Sequence, residues 1–340
     1  MRNPIFLTII AIAMYLPGVC QDHTFSQFFE APILRNPSLA GVFNGDLRVS
    51  AIHRTQWGSV TVPFQTSALS VEYKLPVFSY NDFFTMGVQM THDMAGDINM
   101  KRTQLLPVLN YHKSLSDDED YYLSLAFSGG PVQSQFDPTK AKLDDQFVNG
   151  AYAPTNGTNQ VFSKTGYTYW DASTGLTFSS GFGETGHYYI GGALFHLNKP
   201  RINFFSSNTD TRIQSKYVIN GGITAPISDF NRLVGFADYF VQGGNRQFLG
   251  GLLYETDIMQ YDEKDNVSFS VGGFYRWNDA FIPVVNLTLH EWKVGLSYDV
   301  NISKLKTASQ MRGGLELTAS YRGFLNSRSS TADKVRCVRF

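Results

Sequence analysis

The side chains that most often carry chemistry in proteins are scattered in this chain. The seven histidines, at positions 23, 53, 92, 112, 187, 196 and 290, stand singly, and none lies two or four residues from another. The chain has no H-E-x-x-H motif, no Cys/His cluster, no G-x-S-x-G turn and no glycine-rich phosphate loop. We therefore predict no metal, no cofactor and no enzymatic activity, although a Ser, His and acid set brought together by the fold would not show in the sequence.

Charged residues are the other candidates, and a group of them falls on the polar face of predicted strands. An unpaired buried charge is costly, so we expect these side chains to pair with one another or with the segment at the N-terminus. A row of charges that binds a solute is the alternative. The predicted inward-facing charges are Arg48, Arg54, Glu72, Lys74, Asp171, Arg276, Glu316 and Arg322.

Strands are predicted to position these charges, because apolar and polar residues alternate with a period of two. In residues 315–322, for example, Leu, Leu, Ala and Tyr alternate with Glu, Thr, Ser and Arg. About fourteen segments show this alternation, and single-chain outer-membrane barrels have an even number of strands. The predicted strands are 46–56, 64–75, 82–94, 97–113, 119–131, 167–181, 186–198, 213–226, 229–242, 246–257, 265–277, 281–289, 291–300 and 312–323.

Composition favours the same fold class. Of 340 residues, 17% are charged and 14% aromatic, 30 are Gly, and the formal net charge is -1. A near-neutral chain lacks the basic excess of a nucleic-acid binder, so we expect no nucleic-acid partner. A soluble β-sandwich would turn the apolar face inward, whereas a membrane barrel turns it towards lipid. We predict an all-β, transmembrane antiparallel β-barrel of about 14 strands, because the longer connections tend to follow odd-numbered strands.

The N-terminus is predicted to be an export signal. Arg2 precedes an apolar run from Ile5 to Leu16, which is too short to span a membrane as a helix. We predict that residues 1–20 are a signal peptide cleaved after Cys20; lipidation of Cys20 is the alternative. If Cys20 is removed, Cys337 is the remaining cysteine and no internal disulfide can form.

Three further parts are predicted in the mature chain. Residues 21–44 show no alternation and are predicted to be an N-terminal periplasmic or plug segment. Residues 45–324 form the predicted barrel, and residues 325–340 form a predicted basic periplasmic tail. A barrel of about fourteen strands is too wide for side chains alone to fill, so its lumen is predicted to be plugged or to carry solute.

The mouths of a plugged barrel are its available contact surfaces. We predict that the loops 132–166 and 199–212 meet a protein partner through aromatic residues, or else fold those residues onto the rim. The tail is predicted to contact a periplasmic partner, or to be a loose solvated end. The candidate partner-binding residues are Phe136, Phe147, Tyr152, Phe204, Phe205, Arg336, Arg339 and Phe340.

A series of short motifs, in order along residues 21–321, resembles the PorP/SprF family of type IX secretion system membrane proteins. No single motif is specific, and the closing Cys-Val-Arg-Phe departs from the Cys-Pro-Arg-aromatic ending often found in the family. The motifs are Phe25-Ser26-Gln27, Asn36-Pro37-Ser38-Leu39-Ala40-Gly41, Arg54-Thr55-Gln56-Trp57, Phe136-Asp137-Pro138, His196-Leu197-Asn198-Lys199-Pro200, Gly272-Gly273-Phe274-Tyr275-Arg276 and Trp292-Lys293-Val294-Gly295.

The resemblance implies a location in the bacterial outer membrane and a role in type IX secretion or gliding motility. It implies support for the export or surface anchoring of a partner, such as an adhesin or a cargo protein with a C-terminal sorting domain. It also implies contact with outer-membrane lipid and with periplasmic components of the secretion machinery. An outer-membrane solute channel or transporter of similar shape is the alternative.

Overall fold

We describe a computed structural model of the chain. It describes residues 22–324 except 59–61, 78–80, 117–119, 149–150, 154, 161, 163, 184, 203–210, 261–265 and 304–311. The predicted signal peptide and C-terminal tail therefore lie outside the described residues.

Within the described residues, fourteen antiparallel strands close into one barrel, in which the first strand pairs with both the second and the last. Each predicted strand overlaps one observed strand, so the fold class and the strand count are confirmed. The barrel strands are β1 Leu47–Gln56, β2 Phe64–Pro76, β3 Phe83–Ala95, β4 Met100–Ser114, β5 Tyr122–Gln135, β8 Gly166–Phe182, β9 Gly186–Phe195, β10 Lys216–Ser228, β11 Asn231–Gln242, β12 Asn245–Gln260, β13 Asn266–Arg276, β14 Ala280–Leu289, β15 Trp292–Asn301 and β16 Arg312–Gly323.

Short elements lie outside the barrel wall. Helical turns at Phe28–Glu30, Pro32–Arg35 and Pro37–Leu39 precede β1. The longest connection carries helical turns at Pro138–Lys140 and Asp144–Gln146, followed by a small hairpin of β6 Phe147–Val148 and β7 Ala151–Tyr152. Among the residues described, no helix is long and apolar enough to cross a bilayer.

The two ends of the barrel differ in the length of their connections. One end of the barrel, which we call the long-loop mouth, is formed by the connections 57–63, 96–99, 136–165, 196–215, 243–244, 277–279 and 302–311. The opposite end, which we call the short-turn mouth, is formed by the connections 77–82, 115–121, 183–185, 229–230, 261–265 and 290–291. The first strand begins and the last strand ends at this mouth. The three longest connections, 136–165, 196–215 and 302–311, all lie at the long-loop mouth as the alternation predicts, whereas 96–99, 243–244 and 277–279 at the same mouth are short exceptions.

The outer wall is apolar. Side chains such as Phe127, Leu176 and Ile219 point outwards and are exposed, because they have no protein layer beyond them. Exposed aromatic rings stand near both ends, with Trp170 and Trp277 towards the long-loop mouth and Trp292 towards the short-turn mouth. An apolar band between two aromatic girdles is the surface of a barrel that sits in lipid.

The inner wall is not polar throughout. On β11 to β14 it carries buried apolar side chains, and these pack against Phe28 and Phe29 from the chain before β1. The period-two pattern is weak on β11 and β14 for this reason, since both of their faces are apolar. The wall residues of β11 to β14 that belong to this inner cluster are Val234, Leu249, Leu253, Phe274, Ala280, Ile282 and Val284.

Candidate functional site

Residues 22–46, which we call the lumen segment, run inside the barrel between its two mouths. Asp22 lies at the long-loop mouth, and Glu30 reaches the short-turn mouth. The segment then turns back to Asn36 near mid-height and leaves at the short-turn mouth, where the Asp46 N–H donates to the Gly323 carbonyl at 2.9 Å. The start of the segment is therefore at the mouth opposite to the one where β1 begins.

An imidazole holds the start of the lumen segment at the long-loop mouth. His196, directly after β9, lies 2.9 Å from Asp22 through Nε2 and 2.9 Å from Asp171 through Nδ1. Arg102 approaches the Asp22 carboxylate at 3.4 Å, and the Asp22 N–H donates to Gln242 Oε1 at 3.1 Å. Burial disfavours the charged imidazole, but the two carboxylates outweigh it and raise the pKa of His196 to about 9.

We expect the His196 imidazole to titrate near pH 9, far above its unfolded value of about 6.5. Since the folded-state pKa is raised, the stabilisation is fully present below about pH 6.5 and is lost as the pH rises through about 9. NMR of histidine-labelled protein measures the midpoint, and His196→Gln assigns the signal. A midpoint at or below pH 6.5 would contradict the bridge between Asp22 and Asp171.

Asp299 on β15 is the centre of a buried charge cluster beneath this mouth. Its Oδ2 accepts from Arg54 Nη2 at 2.7 Å and from Arg276 Nη1 at 3.0 Å, and Ser26 Oγ donates to its Oδ1. The neighbouring Glu316 accepts the Ser26 N–H at 2.8 Å and also accepts the Gln27 N–H. Strands β1, β13, β15 and β16 thereby hold the lumen segment together.

Arg35 anchors the middle of the lumen segment to the opposite wall. Its guanidinium lies 2.6 Å from Asp238 Oδ1 on β11 and donates to the Tyr189 hydroxyl on β9 at 2.8 Å. The same group lies 4.7 Å from the centre of the Phe28 ring. Both members of the ion pair are buried, so each depends on the other for compensation of its charge.

Asn36 fastens the next turn to β8 and β10. Its Nδ2 donates to Asn220 Oδ1 at 3.0 Å and to Thr177 Oγ1 at 3.2 Å, while its Oδ1 accepts the Ser38 N–H at 2.9 Å. The close approach depends on a glycine in the wall, because a Cβ on Gly175 would lie 1.9 Å from Asn36 Oδ1. Glycine at this position makes room for the lumen segment.

The end of the lumen segment is fixed near the short-turn mouth. Glu72 forms a 2.7 Å ion pair with Arg48 and accepts the Gly41 N–H at 2.9 Å, while Lys74 donates to the Phe43 carbonyl. Glu30 lies 2.8 Å from Lys293. Burial alone would raise the pKa of Glu30, but Lys293 and Arg322 lower it to about 2.

The predicted inward charges are confirmed as inward. All except Asp171, which pairs with His196, contact each other or the lumen segment as expected. Arg48 meets Glu72, Arg54 and Arg276 meet Asp299, and Arg322 lies 3.9 Å from Glu30. Sequence reasoning missed several partners. Asp299 and Lys293 stood on the polar face of a predicted strand and were detectable there, whereas Asp22, Arg35 and Asp238 gave no such signal.

A cavity of about 680 Å³ remains between the lumen segment and strands β9 to β16, on the side of the short-turn mouth. Its apolar part is formed by Phe29, Val234, Phe236 and Leu253. Charged residues line the remainder, among them Arg232, which bridges Glu255 at 2.5 Å and Asp257 at 3.1 Å.

The aromatic residues predicted for partner binding are described only in the first long loop. Phe147 and Tyr152 face each other across the β6–β7 hairpin with ring centres 5.8 Å apart, and Phe147 is half exposed. Phe136 packs edge-on against Phe162 at the base of the loop, 5.3 Å away. The other predicted contacts lie outside the described residues: Phe204, Phe205, Arg336, Arg339 and Phe340.

Comparison with known proteins gives one family. The family model described as "Type IX secretion system membrane protein PorP/SprF" matches residues 19–321. No curated protein matches the sequence.

Solved structures with a similar fold are outer-membrane proteins of low sequence identity. The Ralstonia pickettii toluene transporter TbuX is 11% identical, with a TM-score of 0.48 over 88% of this chain and 95% of that one. A Pseudomonas aeruginosa FadL homologue is 9% identical, with a TM-score of 0.46 over 84% and 92% of the two chains. The CymD monoaromatic hydrocarbon channel is 10% identical, with a TM-score of 0.46 over 90% and 96%.

Proposed function

This chain belongs to the PorP/SprF family of type IX secretion system membrane proteins, and we propose that it supports the export or surface anchoring of a partner protein. It is a β-barrel of the bacterial outer membrane. The family is one of secretion-system membrane proteins and not of enzymes. Long loops of outer-membrane barrels face the cell exterior and short turns face the periplasm, which orients the two mouths.

The buried network around the lumen segment is the observation that favours a role in protein contacts over solute passage. Arg35 of the lumen segment and the inward-facing Arg48, Arg54 and Arg276 of the wall each form an ion pair with a carboxylate. A solute path would require this segment to move, and breaking one buried ion pair costs about 3–5 kcal/mol. The mouths are therefore the surfaces on which the protein acts.

The partner surface at the exterior is proposed to be the loop 136–165 with the following loop 196–215. The half-exposed ring of Phe147, which packs against the partly exposed ring of Tyr152 on a short hairpin, supplies contact area at a low entropic cost. We propose that Phe136, Phe204 and Phe205 extend this surface. The basic tail, with Arg336, Arg339 and Phe340, is the proposed contact for periplasmic components of the secretion machinery.

A pull-down from mildly solubilised outer membranes tests this function. We expect the wild-type protein to retain a surface protein as a stoichiometric companion. The Phe147→Ala/Tyr152→Ala variant is expected to lose at least about tenfold of it, since central aromatic contacts contribute about 2 kcal/mol or more each. Thr139→Ala, an exposed change in the same loop, is the matched control. Equal recovery from all three proteins, or no companion at all, would contradict the proposal.

The course of the lumen segment gives a prediction about topology. Asp22 lies at the long-loop mouth, so residues directly before it are expected to emerge at the cell surface. A short epitope inserted between Gln21 and Asp22 should bind antibody on intact cells, whereas the same epitope in the 183–185 turn should bind only after permeabilisation. Detection of the first epitope only in permeabilised cells would contradict the observed path of the segment.

A further inference from the structure

A row of polar side chains crosses the outer wall of the barrel on β1 to β4. Four residues that face one another in register make up this row, which we call the outer polar row: His53, Ser67, His92 and Thr103. The His53 Nδ1 lies 2.9 Å from Ser67 Oγ, and the His92 Nδ1 lies 2.8 Å from Thr103 Oγ1. Both imidazole rings are exposed on the wall that elsewhere meets lipid.

The same end of the outer wall is built differently around the rest of the barrel. At the long-loop ends of β8 and of β10 to β15, exposed aromatic rings form the girdle at the membrane boundary. On the other side of the row, His53 pairs in register with the apolar Leu317 of β16. The outer polar row therefore interrupts the girdle on one face. The girdle residues are Trp170, Tyr217, Tyr239, Phe248, Trp277, Phe281 and Tyr298.

The pairing of β4 with β5, beside the row, is also interrupted. No register pairs join residues 105–107 of β4 to residues 129–131 of β5, although the structure describes both stretches. Pro107 and Pro131 lie in this gap, and a proline has no N–H to donate to the ladder. Lipid supplies no hydrogen bonds either, so this wall gains more from a protein neighbour than from hydrocarbon.

The chemistry of the outer polar row indicates what covers it. Anionic lipid head groups are bound by clusters of Lys and Arg, whereas the row contains neither; Lys101 lies two positions beyond Thr103, towards the long-loop mouth. Imidazole and hydroxyl groups both donate and accept hydrogen bonds, so the row can pair with a copy of itself without like-charge repulsion. A two-fold axis along the membrane normal would bring two such rows together at the same depth.

We propose that two copies of this chain associate in the membrane through the face formed by β1 to β4, with their outer polar rows in contact. Met86 and Met90 are exposed on the same face, nearer the short-turn mouth, and their flexible side chains suit a packed contact. The contact involves this chain alone. It therefore stands or falls independently of the proposed role in secretion.

The dimer would place two copies of the first long loop on neighbouring sides. The connection 136–165 begins next to the turn between β3 and β4, where the Asp137 N–H donates to the Ile98 carbonyl at 3.0 Å. The loop thus starts on the same side of the barrel as the outer polar row. Two loops side by side would hold one partner at two points and raise the overall affinity. This consequence, unlike the contact itself, rests on the proposed function.

Cysteine crosslinking in lipid bilayers tests the contact. Ser67→Cys lies in the middle of the row, and Tyr239→Cys is an exposed girdle position on the opposite side of the barrel. Both are made in a Cys20→Ala/Cys337→Ser background, which removes the native thiols. At a low protein-to-lipid ratio, we expect a short bismaleimide to give at least about fivefold more crosslinked dimer from Ser67→Cys. Equal yields at the two positions would show random encounters and would overturn the proposal.

Removal of the imidazoles separates a specific contact from a general one. His53→Leu/His92→Leu makes the row apolar like the rest of the wall and should raise the dimer dissociation constant at least about tenfold, because two-fold symmetry removes each hydrogen bond twice. Tyr239→Leu/Tyr298→Leu is the matched control and should leave the constant unchanged. Energy transfer between labelled copies in bilayers measures both.

Two further results would overturn the proposal. One is a dimer whose dissociation constant is the same in wild-type protein and in His53→Leu/His92→Leu. The other is a monomer that carries a bound lipid in native mass spectrometry and loses it in that variant, since this would assign the outer polar row to lipid head groups.

Discussion

Valine in place of Gly175 is expected to dislodge the lumen segment and make the purified barrel conduct ions. A Cβ at this position would lie 1.9 Å from Asn36 Oδ1 and 3.1 Å from Ser38 Oγ, so the turn at Asn36 must move. Overpacking costs about 1–3 kcal/mol, and each lost hydrogen bond of Asn36 adds about 1 kcal/mol. We therefore expect the binding of the lumen segment inside the barrel to be weakened by roughly 3–6 kcal/mol.

Gly192 provides the matched control for this substitution. It lies on the adjacent strand and faces outwards, and the nearest atom to an added Cβ is the Val218 carbonyl oxygen at 3.6 Å. Gly192→Val should remain closed. Trypsin reports the same event, since cleavage after Arg35 requires the segment to leave its site. Identical conductance and identical cleavage in both variants would contradict the role assigned to Gly175.

The second large effect is expected at the Arg35–Asp238 ion pair. Arg35→Met should lower the free energy of unfolding by about 3–5 kcal/mol, because it leaves the Asp238 carboxylate buried without compensation. Asp238→Leu should cost a similar amount by stranding Arg35. Replacing both residues removes both charges, so the double variant should be more stable than either single variant.

Denaturant unfolding of the four proteins in one detergent or lipid system completes a double-mutant cycle. We expect a coupling free energy of about 2 kcal/mol or more between the two positions. The ion conductance of the purified barrel should rise as its stability falls. We therefore expect the single variants to conduct more than the double variant. Additive losses in the double variant would mean that the pair does not hold the segment.

The strands could be read from the sequence because alternation is a local property of each strand. Residues 292–300 and 315–322 showed it clearly, since one side meets lipid and the other a polar lumen. The signal weakened on β11 and β14, where Phe28 and Phe29 require an apolar inner wall. Knowledge of this inner contact would have been needed to assign the faces of those strands from sequence alone.

The path of the lumen segment could not be predicted, because its anchors are distant in sequence. Arg54 and Asp299 are separated by 245 residues, and Arg35 and Asp238 by 203. Their meeting depends on barrel closure between β1 and β16 and on the stagger of the strands, neither of which leaves a local pattern. The bridge from His196 to Asp22 has the same origin, since its two residues are 174 positions apart.

Conductance of the wild-type protein in planar lipid bilayers tests the central claim most directly. The claim is that the lumen is filled and that the two mouths carry the function. We expect no ion-conducting steps from the full-length wild-type protein, while Gly175→Val in the same preparation shows them and verifies insertion. Stable conducting steps from the wild-type protein would contradict the filled lumen and would favour solute passage.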